Sequence, residues 1–132
     1  MACPTLSRVK QPLALLLYEK LLPGSQLVNR LQDLNYRVLP VPAPVELTPI
    51  AEREKPLLAF VDLEPNFERI CEAIIALRQN VSTRHVPVIA FASGEDTPAH
   101  QAATRAGATL VVNDHALLQH LNQFLDRALE VE

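Results

Sequence analysis

The chain has 132 residues, of which 48% are hydrophobic and 20% are charged, and its formal net charge is −3. A chain of this size and composition fits one globular domain with a sizeable core. The negative charge argues against direct nucleic-acid binding through bulk positive charge, and three glycines leave little material for a phosphate-binding loop. No apolar run is long enough to span a bilayer and no signal peptide is recognisable, so we expect a cytoplasmic protein without a membrane segment.

The cysteines and histidines show no pattern typical of a metal site or a disulfide framework. No Cys/His group has the spacing of zinc ligands, and the four histidines are scattered along the chain. Cys71 falls on an apolar helix stripe, which predicts a small buried side chain. Without an export signal, we expect no disulfide between Cys71 and Cys3.

The first third of the chain predicts a buried strand, a helix and an edge strand. Leu13–Leu17 is a continuous apolar run, typical of a strand buried on both faces. After a Pro-Gly pair, Ser25 is predicted to cap a helix whose apolar side chains are spaced three and four residues apart. Residues 36–39 predict a second strand, and Pro40 beside it indicates a sheet edge because a central strand needs its N–H groups.

The middle of the chain predicts two helices around a third strand. Thr48 before Pro49 is typical of a cap followed by an N1 proline, and it predicts a short polar helix over residues 50–55. Residues 57–61 are apolar throughout and end at an aspartate, which predicts a third buried strand. Pro65 is predicted to begin a long amphipathic helix.

The last third of the chain repeats this alternation. Residues 86–91 predict a fourth strand, and residues 109–112 predict a fifth. Between them, Thr97 before a proline predicts a helix start, and Gly107 predicts the end of that helix. Asp114 is predicted to cap a final helix with a long apolar stripe.

Five apolar strands that alternate with five helices predict a doubly wound α/β fold, in which helices cover both faces of a parallel sheet. One domain is expected over residues 1–132, with a flexible leader over residues 1–11. In such a sheet, ligands bind beyond the carboxyl ends of the strands. The candidate site residues are those that follow the predicted strands: Tyr18, Glu19, Asp62, Ala92, Ser93 and Asn113.

Three stretches of the chain carry a resemblance to a known family. They read Leu-Leu-Ala-Phe-Val-Asp at 57–62, Val-Pro-Val-Ile-Ala-Phe at 86–91, and Ala-Thr-Arg-Ala-Gly-Ala at 103–108. With these motifs, the chain resembles the receiver domain of two-component response regulators from its first strand to its last helix. The resemblance implies a flavodoxin-like sheet with the strand order 2-1-3-4-5.

The resemblance also implies roles for the acids at the strand ends. In receiver domains, two acids after the first strand hold Mg²⁺, and an aspartate after the third strand is phosphorylated. Asp62 falls at the phosphoacceptor position, while Tyr18 and Glu19 fall where the acid pair belongs, so a phenol replaces one acid. Glu19 and Asp62 still offer two carboxylates, which implies weak Mg²⁺ binding at most.

Two further family positions are changed in this chain. Receiver domains carry a Thr or Ser after the fourth strand and a Lys after the fifth. Ala92 falls at the hydroxyl position, with Ser93 one residue later, and Asn113 falls where the lysine belongs. Without the lysine, no fixed cation compensates the incoming phosphoryl charge, and without the hydroxyl no donor reads the phosphate. We therefore predict a degenerate switch.

These departures predict a pseudo-receiver, a non-enzymatic signalling module that binds a protein partner, either a histidine kinase or an effector or regulatory protein. Two alternatives stay open: an active receiver that a histidine kinase phosphorylates on Asp62, and a small flavodoxin-like ligand-binding domain. By resemblance, the partner surface is built from the fourth helix, the fifth strand and the fifth helix. Its candidate exposed residues are His100, Gln101, Arg105, His115 and Gln119.

Overall fold

Five parallel strands form the centre of the fold. The computed structural model describes residues 12–18, 21–64, 66–94 and 97–130. The strands are β1 (Leu13–Leu17), β2 (Arg37–Val41), β3 (Leu58–Asp62), β4 (Val88–Ala92) and β5 (Leu110–Asn113). They pair in the order β2-β1-β3-β4-β5, and every pairing is parallel. The predicted doubly wound α/β fold and its strand order are confirmed.

Helices cover both faces of this sheet. They are α1 (Leu21–Asp33), α2 (Leu47–Glu54), α3 (Phe67–Gln79), α4 (Pro98–Ala106), α5 (Asp114–Gln119) and α6 (Leu121–Glu130), with a 3-10 turn (Pro44–Glu46) before α2. One apolar cluster joins α2, α3 and α4 to one face, and a second joins α1, α5 and α6 to the other. Among the described residues, no helix has the length and apolar character needed to cross a membrane.

The strands divide their side chains between the two clusters because successive residues of a strand point to opposite faces. In β1, Leu15 and Leu17 pack with α2, α3 and α4, whereas Leu16 packs on the opposite face. Every residue of β1, β3 and β4 is buried, as the continuous apolar runs predict. In β2 only Val41 is buried, and Pro40 is exposed on this edge strand as predicted.

Two predicted helix starts are wrong. The first helix begins at Leu21 rather than after Ser25, and it includes Pro23 in its first turn. Proline is tolerated there because the first N–H groups of a helix have no partner within the helix. Thr48 does not cap α2, which already begins at Leu47 as a continuation of the 3-10 turn. The predicted start at Pro65 lies outside the described residues.

The predictions for α4 are confirmed, whereas those for the last helix are not. Thr97 caps α4, and Gly107 ends it with a φ of 115°, a left-handed conformation that favours glycine. Asn113, not Asp114, caps the next helix. The predicted single carboxyl-terminal helix is divided into α5 and α6 because His120, with φ −124° and ψ 37°, leaves the helical conformation.

Arg78 on α3 binds the two segments that precede β4 and β5 at the amino-terminal edge of the sheet. Its Nε donates to the Gly107 carbonyl at 2.9 Å, and its Nη1 donates to the carbonyls of Arg84 at 2.7 Å and Val86 at 2.6 Å. Its Nη2 donates to Thr109 Oγ1 at 3.1 Å. Burial lowers the pKa of the guanidinium. This side chain therefore ties α3 to the segments that lead into β4 and β5.

Cys71 lies on the buried stripe of α3, as its sequence position predicts. Its side chain is 8% exposed and belongs to the cluster that joins α2, α3 and α4 to the sheet. Burial raises the pKa of the thiol, and nearby Arg105 opposes this shift. The thiol therefore acts as a small apolar packing group.

Candidate functional site

The described candidate residues lie together at the carboxyl edge of the sheet. Asp62, Ala92 and Asn113 are the last residues of β3, β4 and β5. Ala92 lies opposite Asn113 in the register of these two strands. Tyr18 directly follows β1 at the same edge. Glu19, the second predicted acid of the pocket, lies outside the described residues.

Asp62 is buried at the end of β3, with 1% of its surface exposed. Its Oδ1 accepts a hydrogen bond from the backbone N–H of Glu64 at 3.0 Å. This two-residue pattern is typical of an aspartate that turns the chain after a strand. The backbone N–H of Leu63 also continues the sheet by donating to the Phe91 carbonyl at 2.9 Å. The β3 end therefore holds the Asp62 carboxylate in a defined orientation.

Glu64 is a site residue that is not among the candidates predicted from the sequence. Ser93 Oγ donates to Glu64 Oε2 at 2.6 Å, which links the loop after β3 to the loop after β4. Ser93 is exposed and Glu64 is half-buried, so this bond lies at the mouth of the site. The only sequence signal for this role is the position of Glu64, two residues after Asp62.

Asn113 holds the ends of β4 and β5 together. Its Nδ2 donates to the Gly94 carbonyl at 2.9 Å. Its Oδ1 accepts from the backbone N–H groups of His115 at 2.8 Å and Ala116 at 3.2 Å, which caps α5. Both ends of this neutral amide are therefore engaged with the backbone. The position that holds a lysine in the resembled family supplies a brace here instead of a cation.

The remaining two described positions are filled by packing groups. Ala92 is 2% exposed, and its methyl belongs to the cluster beneath α2, α3 and α4. Tyr18 is half-buried and packs against the opposite cluster, beneath α1, α5 and α6. Neither residue supplies a carboxylate or an alcohol hydroxyl. These side chains extend the apolar core up to the carboxyl edge of the sheet.

The described residues fit a magnesium ion poorly. Mg²⁺ prefers an octahedral set of oxygen ligands and is commonly held by one or two carboxylates. Asp62 offers a carboxylate, but the Glu64 carboxylate is hydrogen-bonded to Ser93 and the Tyr18 position carries a phenol. Among residues 12–18, 21–64, 66–94 and 97–130, no group of three His, Cys, Asp or Glu side chains is placed to hold a metal.

One predicted surface residue is not on the surface. His100 is 7% exposed, contrary to the expectation of an exposed partner-binding side chain. Its Nδ1 accepts from the Thr97 backbone N–H at 3.2 Å, and its own N–H donates to Thr97 Oγ1 at 3.3 Å. His100 is thus half of a capping box and turns inward at the start of α4. The other four candidates are exposed: Gln101, Arg105, His115 and Gln119.

Comparisons with solved structures place the fold among receiver domains. A candidate response regulator from Chloroflexus aurantiacus J-10-fl is similar, with a TM-score of 0.82, 18% identity, and coverage of 92% of this chain and 99% of that one. The receiver domain of a sensor histidine kinase from Pseudomonas aeruginosa PAO1, which has a magnesium ion in its active-site cleft, is also similar. Its TM-score is 0.81 at 20% identity, over 92% of this chain and 99% of that one.

A third similar structure is the signal receiver domain of a modulated diguanylate cyclase from Desulfovibrio desulfuricans G20, with a TM-score of 0.74 and 22% identity over 92% of this chain and 95% of that one. No protein-family model and no curated protein sequence matches the chain. The chain therefore has the flavodoxin-like fold of response-regulator receiver domains.

Replacing Asn113 by alanine is expected to lower the free energy of unfolding by about 1–2 kcal/mol, because it removes a helix cap and a bond between strand ends. Urea denaturation followed by circular dichroism measures this loss. The matched control is Asn122→Ala, since Asn122 is an exposed residue within α6. If the two substitutions cost the same free energy, Asn113 is not the brace described above.

Proposed function

We propose that this chain is a pseudo-receiver, a non-enzymatic signalling module that acts by binding a protein partner and is not phosphorylated in the usual way. The observation that carries the proposal is the composition of the strand ends around Asp62. A buried methyl stands at Ala92, and the amide of Asn113 is engaged with the backbone on both sides. The receiver fold is kept, but two of the groups that respond to a phosphoryl group are absent.

Charge balance explains why these replacements matter. Phosphoryl transfer to a carboxylate concentrates negative charge on the transferred oxygens, and fixed cations normally stabilise that charge. Asp62 lies at the end of a buried strand, and the neutral Asn113 stands where the family's lysine would lie. A magnesium ion, when bound, supplies positive charge to such a site. The Glu64 N–H orients the Asp62 carboxylate, and the amide of Asn113 adds no positive charge at the end of β5.

The loss of the hydroxyl affects signalling separately from the loss of the cation. A ligand shifts a conformational equilibrium only when it makes different contacts in the two states. Ala92 has no donor that could follow a phosphoryl group on Asp62, and the Ser93 hydroxyl is bonded to Glu64. The hydrogen bond from a hydroxyl at position 92, which would couple a phosphoryl group on Asp62 to α4 and β5, therefore cannot form. We therefore expect such a module to bind its partner through a surface that keeps one conformation.

The second candidate function is an active receiver phosphorylated on Asp62. It is favoured by the position of Asp62 at the carboxyl edge of β3 and by the Pseudomonas aeruginosa receiver domain, which has magnesium in its cleft. Glu19, together with Asp62, would provide the two carboxylates of a weak magnesium site. Phosphorylation of the isolated chain separates this candidate from the first.

The proposed partner is a protein, either a histidine kinase or an effector or regulatory protein. Its docking surface is expected on α4, β5 and α5, where the side chains of Gln101, Arg105, His115 and Gln119 are exposed. These side chains can form hydrogen bonds with a partner, and Arg105 can also offer a positive charge to an acidic side chain of the partner. His100 is left out of this surface because it is buried.

Intact-mass spectrometry after incubation with acetyl phosphate and Mg²⁺ tests the proposed function. Phosphorylation adds about 80 Da, and the pseudo-receiver is expected to show no stoichiometric adduct. The control is Asp62→Asn, which removes the acceptor. An adduct that forms stoichiometrically on the natural chain and is lost in Asp62→Asn would overturn the proposal in favour of the active receiver.

A further inference from the structure

We propose that two copies of this chain associate through a groove between the 3-10 turn (Pro44–Glu46) and α3. The groove has a volume of about 530 Å³. It lies on the α2–α3 side of the molecule, away from α4, β5 and α5. The proposal does not depend on the phosphorylation state of Asp62. It therefore stands independently of the proposed function.

Small apolar side chains make up half of the lining of this groove. Ala43 and Pro44 form one wall, and Ala73 and Ala76 contribute to the other. The α3 residues that line it are at positions 69, 72, 73 and 76, which lie on one face of a helix. Because its apolar lining side chains are small, the groove has room for an apolar side chain from outside the molecule.

One observation indicates that the groove is part of a contact surface. Val45 is a lining residue with 83% of its surface exposed, and it is the most exposed large hydrophobic side chain among the described residues. It lies beside the small apolar side chains of the groove, so an occupant that covers it would remove a continuous apolar surface from water.

The charges on the groove select a second copy of the chain as its occupant. Arg69 and Glu72 are both exposed and lie three residues apart on α3, within the lining of the groove. A matching partner must present an anion, a cation and an apolar side chain together. A second copy presents this set, because a two-fold axis places Arg69 against the partner's Glu72 and Glu72 against the partner's Arg69. Val45 of each copy would then enter the groove of the other.

The contact is expected to be reversible. Stable dimers usually bury more than about 1,200 Å² in total, and a groove with one exposed valine per copy provides a smaller apolar centre. The association should therefore depend on protein concentration. It should also weaken with added salt, because the Arg69–Glu72 pairs lie at exposed positions.

Sedimentation velocity over a concentration series tests this interface. The natural chain is expected to move from monomer to dimer as the concentration rises. Arg69→Glu and Glu72→Arg should each weaken association at least about tenfold, because like charges then face each other. The double variant Arg69→Glu/Glu72→Arg should restore association, since each charge again meets its opposite across the two-fold axis.

Val45→Asp should also abolish association, and Val81→Asp is its matched control. Val81 is 75% exposed but lies in the turn after α3, at the opposite edge of the sheet. Circular dichroism of each variant verifies that it is folded. A natural chain that stays monomeric at every concentration overturns the proposal. So does a double charge variant that associates no better than the single variants, or a Val81→Asp variant that loses association as Val45→Asp does.

Discussion

Arg78→Ala is expected to lower the free energy of unfolding by about 2–4 kcal/mol, which is a large part of the stability of an ordinary domain. Arg78 donates four hydrogen bonds, to three backbone carbonyls and to the Thr109 hydroxyl. The same hydroxyl accepts from the Val88 N–H at 3.0 Å at the start of β4. Alanine would leave these acceptors without their charged donor, and urea denaturation would measure the cost.

Two further variants separate the geometry of Arg78 from its charge. Arg78→Lys keeps the charge, but one ammonium group cannot reach four acceptors in two separate segments, so the variant should lose most of the same stability. Arg84→Ala is the control, since the Arg84 side chain is exposed, and it should change stability by less than about 0.5 kcal/mol. An Arg78→Ala variant as stable as Arg84→Ala would contradict the role described for Arg78.

The second large effect is a gain of phosphorylation. Tyr18→Asp, Ala92→Ser and Asn113→Lys together restore the acid, hydroxyl and cation that the resembled family carries. With acetyl phosphate and Mg²⁺, the triple variant should form the Asp62 adduct at a level at least about tenfold above the natural chain, because its site can stabilise the transferred charge. Serine is chosen at position 92 because Ala92 is 2% exposed and a larger side chain would crowd the core.

The same triple variant with Asp62→Asn is the control and should form no adduct. Asn113→Lys removes the cap of α5, so the fold of the triple variant is verified by circular dichroism before the reaction. A folded triple variant that gains no adduct would show that these three positions do not limit phosphorylation. The absence of phosphorylation on Asp62 would then have to be explained by other residues.

The sheet could be predicted from the sequence because each central strand is a continuous apolar run. Such a run is stable only when helices cover both faces of a parallel sheet, and in β1 the predicted bounds, Leu13–Leu17, agree with the structure. The edge position of β2 followed from Pro40, whose missing N–H excludes a central strand. The order of the strands came from the family resemblance rather than from these patterns.

Helix ends were less predictable because competing caps lie close together in the sequence. Asn113 and Asp114 are neighbours, and both side chains can accept from the N–H groups of a helix start. The structure uses Asn113, whose amide can also donate to the Gly94 carbonyl, a bond that a carboxylate cannot make. This choice depends on a loop 19 residues away in the chain, so local sequence does not contain it.

The candidate site was predictable where its residues lie at strand ends, but not where it depends on contacts between distant loops. Strand ends placed Asp62, Ala92 and Asn113 at one edge, because parallel strands end together. The bond between Glu64 and Ser93 joins two loops that are 29 residues apart, and no local pattern indicates it. His100 was misplaced because a polar residue in the first turn of a helix predicts exposure, whereas its bonds to Thr97 turn it inward.

A pseudo-receiver is not switched by acetyl phosphate and Mg²⁺, so its proposed partner surface should be the same with and without them. The direct test is the backbone amide NMR spectrum of the ¹⁵N-labelled protein before and after addition of acetyl phosphate and Mg²⁺. The resonances of α4 and β5, including those of Gln101 and Arg105, are expected to stay in place. Shifts that extend from Asp62 through α4 and β5, and are lost in Asp62→Asn, would contradict the proposed pseudo-receiver.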